Sequence, residues 1–112
     1  MYGKRKYMAP EIFRNGVFDG FSVDIWAAGT VLFFMLTGCT YEIPSHEDLV
    51  YRLLIQNTGE LIRRLITSRI ISQSVCISVE AIDLLQNIFR EDPRDRYTLS
   101  EIFQHPWIHD YR

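Results

Sequence analysis

The stretch SVDIWAAGTVLFFMLTG, at residues 22–38, decides the fold. Ser22 is predicted to cap the N-terminus of a helix, and Asp24 in the first turn would complement the helix dipole. Gly38 suits the left-handed position that commonly follows the last turn of a helix. Between these signals, residues 25–36 carry no polar stripe. We therefore expect a helix that is buried on all sides at the centre of the protein.

Two shorter helices are predicted on either side of this stretch. Pro10 suits the first turn of a short helix over residues 11–14. Ser45 and Asp48 have the spacing of a capping box, and apolar residues at helical spacing follow them. That second helix is expected to end at the turn residues 57–59.

The second half of the chain contains three more helical patterns. Apolar residues recur at helical spacing over residues 61–66, with two arginines facing outward. Ser78 is predicted to cap the next helix, and Thr98 with Glu101 forms a capping box for the last one, which Pro106 ends. Strand signals are nearly absent, and no repeat, low-complexity segment or domain boundary is evident. The sequence therefore predicts one all-α domain over residues 1–112.

The composition excludes several functional classes. The 112 residues are 47% hydrophobic and have a formal net charge of −2, which disfavours a nucleic-acid partner or an anionic membrane surface. The most apolar run, residues 25–36, has 12 residues and is interrupted by Gly29 and Thr30, whereas a membrane span needs about 20. Cys39 and Cys76 lie far apart, outside any CxxC spacing, and no secretory signal is visible. These features predict a protein of a reducing, intracellular compartment, the cytoplasm, with no membrane association.

Isolated candidates for chemistry have simpler explanations. His105 and His109 have a zinc-ligand spacing, but Pro106 lies between them and no third ligand is evident, so two surface imidazoles are expected instead. The acidic group at residues 46–48 sits where helix N-termini favour acids. The basic group at residues 4–6 is short enough for a solvated loop. The sequence also contains no glycine-rich phosphate loop. None of these isolated candidates therefore predicts a catalytic residue or a metal ligand.

Four motifs in a fixed order carry more information. They are YMAPE at residues 7–11, SVDIWAAG at 22–29, DPRDRYT at 92–98 and HPWI at 105–108. Together they closely resemble the C-terminal half of the large lobe of a eukaryotic protein kinase, of the serine/threonine type. The resemblance covers nearly the whole chain and is weakest over residues 41–77. It implies the helical C-terminal subdomain of the kinase fold, as a partial domain.

The resemblance also implies roles for particular residues. Glu11 matches the family's APE glutamate, which pairs with the arginine of DPxxR, here Arg96. Asp24 matches the aspartate that accepts hydrogen bonds from the catalytic loop, and Trp26 belongs to the same structural motif.

By the same resemblance, the segment from Gly3 to Pro10 receives the substrate residue that follows the phosphoacceptor. Gly3, Lys4, Tyr7 and Met8 would then contact a protein substrate. Lys4 stands where the serine/threonine class usually has threonine.

Motifs that the family needs for catalysis are missing from the sequence. It has no glycine-rich loop, no lysine of the VAIK type, no HRD loop and no DFG. ATP and Mg²⁺ therefore belong to the parent family, and no cofactor is expected for these residues alone. The expected partners are a protein substrate or the upstream remainder of a kinase domain, with self-association through exposed apolar surface. The alternatives are a non-catalytic, kinase-derived interaction module and an unrelated helical bundle with coincident motifs.

Overall fold

A computed structural model of the chain describes residues 5–72 and 76–109. Over these two ranges the protein contains helices and no strand, as the sequence predicts. In chain order the helices are α1 (Pro10–Phe13), α2 (Gly20–Thr37), α3 (Leu49–Gln56), α4 (Thr58–Thr67), α5 (Val79–Ile88), α6 (Leu99–Gln104) and α7 (Pro106–His109).

Helix α2 begins three residues earlier than predicted. Asp19 is the N-cap, and its carboxylate accepts a hydrogen bond from the Phe21 amide at 3.0 Å. Ser22 lies inside the helix instead, so Asp24 is no longer in the first turn. The C-terminus is as predicted, because Gly38 adopts φ 72° and its amide bonds the Phe34 carbonyl at 2.7 Å.

The expectation that α2 is buried on all sides is wrong. One face, from Trp26 to Phe33 and Thr37, is buried. The opposite face is apolar and exposed at Val31, Phe34 and Met35. A helix that is apolar all round is usually covered by neighbours on every side. Here the described residues cover only one side of α2.

The length and hydropathy of α2 also meet the simplest criterion for a membrane span. The helix has 18 residues with a mean hydropathy of 1.5, and 28% of them are buried. A single helix of this kind is weak evidence, because the core helix of a soluble protein meets the same criterion.

Helices α3 and α4 meet at one residue. Asp48, and not Ser45, caps α3 by accepting from the Tyr51 amide at 3.2 Å. The predicted capping box is wrong because Ser45 lies a turn too early, where its carbonyl binds the Asp48 amide. Asn57 ends α3 and caps α4, so Thr58 and Gly59 begin α4 instead of ending α3.

The predicted caps of the later helices are confirmed. Ser78 accepts a hydrogen bond from the Ala81 amide at 3.1 Å at the start of α5. Thr98 and Glu101 form both hydrogen bonds of a capping box at the start of α6. Pro106 ends that helix, as expected, and begins α7 directly after it.

Aromatic rings fill the contact between α2 and α5. Trp26 and Phe89 meet edge to face with centroids 5.1 Å apart, and Phe33 meets the other side of Phe89 at 6.2 Å. Gly29 allows this close approach, because a Cβ there would lie 2.5 Å from a methyl carbon of Ile88. These contacts therefore fix the position of α2 against α5.

Candidate functional site

An ion pair joins the start of the described chain to the loop before α6. Arg96 donates from Nη1 to one Glu11 carboxylate oxygen at 2.7 Å and from Nη2 to the other at 3.0 Å. The exposed fractions of the two side chains are 0% for Arg96 and 7% for Glu11. A bidentate pair of this kind combines charge with fixed geometry. The structure therefore brings together the two residues that the resemblance pairs.

Arg96 has further partners, which satisfy the rest of its donors. Nε and Nη2 donate to the Arg90 carbonyl at 3.1 and 2.9 Å. Nη1 also lies 3.2 Å from the Ser22 carbonyl and hydroxyl oxygens. The guanidinium carbon stands 4.8 Å from the centre of the Trp26 ring, within the range of a cation–π contact. Arg96 thus ties α1, α2 and the end of α5 to one point.

A second set of hydrogen bonds extends from Trp26 to the segment before α1. The Trp26 indole nitrogen donates to the Tyr41 hydroxyl at 2.8 Å. That hydroxyl donates in turn to the Met8 carbonyl at 2.8 Å. Burial raises the pKa of Tyr41, so the phenol keeps the proton it donates. The order of contacts is therefore Arg96, Trp26, Tyr41 and Met8.

The structure describes two of the four predicted substrate contacts. Gly3 and Lys4 lie outside the described residues. Tyr7 is 38% exposed, and Met8 is half-buried with its carbonyl bound as above. The exposure of Tyr7 leaves its ring on the surface of the segment that precedes Pro10.

Asp24 lines an open groove, and Arg96 of the ion pair lines the same groove. The groove lies between the N-terminal half of α2 and α6 and has a volume of about 550 Å³. Ile25, Tyr97 and Ile102 contribute to its mainly apolar lining. Asp24 is exposed, and its carboxylate accepts no hydrogen bond from any residue in 5–72 or 76–109.

A cluster around Glu91 was not predicted from the sequence. Its carboxylate accepts from the Tyr51 hydroxyl at 2.7 Å, lies 2.8 Å from His46 Nε2 and pairs with the Arg14 guanidinium. Partial burial favours a higher pKa for Glu91. Hydrogen bonds from Tyr51, Arg14 and His46, with the charge of Arg14, outweigh it and hold that pKa below its ordinary value.

No local signal identifies this cluster. Its members are up to 77 residues apart, and a glutamate beside Asp92 is an ordinary surface residue in the sequence. Burial, together with the Glu91 carboxylate, raises the pKa of Tyr51. The residues at 46–48 have separate roles: Asp48 caps α3 in place of the predicted Ser45, whereas His46 binds Glu91.

His105 of the HPWI segment makes buried contacts that the sequence did not predict. His105 is 5% exposed, which corrects the expectation of a surface imidazole. Its Nε2 lies 2.8 Å from the Asp83 carboxylate, and its Nδ1 accepts from the Trp107 amide at 3.1 Å. These contacts place the proton on Nε2 and connect α7 to α5. Among the described residues no group of three or more His, Cys, Asp or Glu side chains converges on one point.

Comparison with known proteins agrees with this geometry. The protein kinase domain family matches residues 1–108. Calcium-dependent protein kinase 15 of Oryza sativa subsp. japonica is 31% identical over 98% of this chain and 18% of its own length. Serine/threonine-protein kinase kin-29 of Caenorhabditis elegans is 29% identical over 96% of this chain and 12% of its own length. An abscisic acid-inducible protein kinase of Triticum aestivum is 32% identical over 95% of this chain and 30% of its own length.

The chain belongs to the eukaryotic protein kinase family. The predicted family and the predicted all-α subdomain are both confirmed. The chain spans between 12% and 30% of the length of these three relatives.

Proposed function

We propose that these residues form the substrate-facing helical part of a protein serine/threonine kinase and are catalytically silent on their own. The parent activity is transfer of the ATP γ-phosphoryl group to a protein serine or threonine. The observation that carries this proposal is the order of contacts from the Glu11–Arg96 pair through Trp26 and Tyr41 to Met8. It anchors the segment that resembles the family's substrate loop to the central helix.

We expect no catalytic activity because the chain lacks the groups that bind phosphate and Mg²⁺ in the family. Phosphoryl transfer depends on Mg²⁺, a phosphate-binding lysine and a catalytic aspartate held in fixed positions. The sequence has none of the motifs that supply them, and no carboxylate cluster for a metal exists among the described residues. The residues present therefore do not fit ATP with Mg²⁺, and no step of the transfer is assigned to them.

The proposed partners are a protein substrate and the upstream remainder of a kinase domain. Asp24 lies at the groove between α2 and α6, where its carboxylate has no partner among the described residues. Phe34 and Met35 present apolar surface on the uncovered face of α2. Both features suit a segment that brings backbone amides and apolar side chains. We propose an intracellular, cytoplasmic location, which the two free cysteines support.

A phosphorylation assay tests the silence. The 112-residue chain, ATP with Mg²⁺ and a generic protein substrate should give no phosphate incorporation above a blank without protein. An active protein kinase on the same substrate is the positive control. Transfer that disappears when a residue of this chain is substituted would contradict the proposal.

A non-catalytic interaction module is the second candidate, favoured by the exposed apolar face of α2. Met35 is 75% exposed and Phe34 is 44% exposed, so the isolated chain should self-associate or bind a hydrophobic dye. Met35→Gln should reduce both signals, whereas Thr67→Gln on α4 should leave them unchanged. A monodisperse wild-type chain that binds no dye would argue against an interaction surface on this face.

A further inference from the structure

We propose that Thr40 and Tyr41 form a two-point clamp that fixes the backbone of the substrate-facing segment at Lys6 and Met8. The Thr40 hydroxyl donates to the Lys6 carbonyl at 3.1 Å. The Tyr41 hydroxyl donates to the Met8 carbonyl at 2.8 Å. The clamp deepens the proposed function and rests on it for the role of this segment in substrate binding.

The two bound carbonyls belong to the residues on either side of Tyr7. Lys6 and Met8 have their carbonyls held from one side, whereas the Tyr7 side chain between them is 38% exposed. Fixing the backbone on both sides of Tyr7 limits the positions that this ring can take. The clamp therefore sets the orientation of a side chain that the resemblance assigns to substrate contact.

The clamp is itself firmly supported. Tyr41 is 1% exposed, and its hydroxyl also accepts the Trp26 indole hydrogen at 2.8 Å. Thr40 follows Cys39, whose amide is held by the Thr37 hydroxyl at 3.1 Å at the end of α2. Lys6 also pairs with Glu42 at 3.6 Å. The segment after α2 thus holds the residues before α1 through three consecutive positions.

The motifs that identify the family do not include the clamp residues. Thr40 and Tyr41 lie outside all four quoted motifs, and the contacts they make cross 34 and 33 residues of sequence. Each hydroxyl can be removed with little change of shape, by Thr40→Val and Tyr41→Phe. Serine at position 40 retains a hydroxyl, so it can restore the bond to Lys6.

Limited digestion of the whole chain with trypsin tests the clamp, because Thr40 binds the carbonyl of the Lys6–Tyr7 bond that trypsin cuts. Cleavage there requires this segment to open locally. Thr40→Val should raise the rate of cleavage after Lys6 about fivefold, the change in open population expected from one net hydrogen bond. Cleavage after Arg94, an exposed site in the loop between α5 and α6, is the internal reference.

Three controls separate the clamp from general destabilisation. Thr40→Ser should restore the wild-type rate. Thr67→Val removes a hydroxyl that bonds only its own helix in α4, and should leave the Lys6 rate unchanged. Tyr41→Phe should raise cleavage after Lys6 relative to Arg94, whereas Tyr97→Phe should not.

Two outcomes would overturn the clamp. One is an unchanged Lys6 rate in both Thr40→Val and Tyr41→Phe, and the other is an equal rise at Lys6 and Arg94. The digestion uses neither ATP nor a kinase substrate. Failure of the clamp is therefore distinguishable from failure of the proposed function, which the phosphorylation assay measures.

Discussion

Glu11 and Arg96 lie 85 residues apart in the sequence and meet in a buried, bidentate ion pair with distances of 2.7 and 3.0 Å. The pair connects α1 to the loop between α5 and α6. Its surroundings are also organised, since the Arg96 guanidinium packs on the Trp26 ring. Removal of either charged side chain leaves the other one buried without its ionic partner.

A double-mutant cycle measures this coupling. Glu11→Ala or Arg96→Ala should each lower the free energy of unfolding by roughly 3–5 kcal/mol, largely by stranding the remaining charge. The double variant should lose much less than the sum of the two losses, as judged by urea titration. Additive losses, within about 0.5 kcal/mol, would mean that the two side chains are not coupled in solution.

Asp24→Asn should change the stability of the isolated chain by less than about 1 kcal/mol, because the carboxylate is exposed and lies beyond the first turn of α2, where the helix-dipole effect has fallen off. Asp19→Ala is the matched comparison on the same helix. It should cost about 0.5–2 kcal/mol, since Asp19 caps α2. Both values come from denaturant titrations. A loss of several kcal/mol for Asp24→Asn would reveal a partner within this chain and favour the interaction module.

Gly29→Ala should destabilise the protein by about 1–3 kcal/mol, the usual range for overpacking a core. The added methyl would meet Ile88 at 2.5 Å and Phe89 at 3.3 Å, so α2 and α5 would have to separate. Gly20→Ala, at the start of the same helix, has no atom within 4 Å of the new methyl and should be neutral or slightly stabilising. Thermal unfolding of the two variants compares them, and equal melting temperatures would disprove close packing at Gly29.

The cluster around Glu91 predicts a pH dependence. The pKa of Glu91 in the folded state lies below its ordinary value, whereas a glutamate in the unfolded chain has a pKa of about 4.3. Below that pH the unfolded state binds more protons, so the contribution of Glu91 is present above it and is lost as the pH falls towards the folded-state value.

Unfolding titrations between about pH 3 and pH 7 check this dependence, a range that brackets the ordinary glutamate pKa. Glu91→Gln should be less stable than wild type at pH 7, and the difference should shrink as the pH falls. Glu47→Gln alters an exposed carboxylate with no hydrogen bond to a described residue, and should follow the wild-type curve. A difference for Glu91→Gln that stays constant over the whole range would contradict the assignment.

The features that the sequence predicted well are local ones. Gly38, Ser78 and the Thr98–Glu101 capping box end or begin helices where expected, because each acts on backbone groups within one turn. The local rules went wrong where two polar residues competed for one helix start. Asp19 displaced Ser22 at α2, and Asp48 displaced Ser45 at α3.

The sequence by itself determined the helical class, most helix ends and, through four motifs, the kinase family. Tertiary packing decided the rest. It left one face of α2 uncovered, gathered Arg14, His46 and Tyr51 around Glu91, and placed the Tyr41 hydroxyl between Trp26 and Met8. These contacts join residues 15 to 77 positions apart. No periodicity or capping rule reaches that far, because such partners are chosen by how the helices pack and not by their neighbours in the chain.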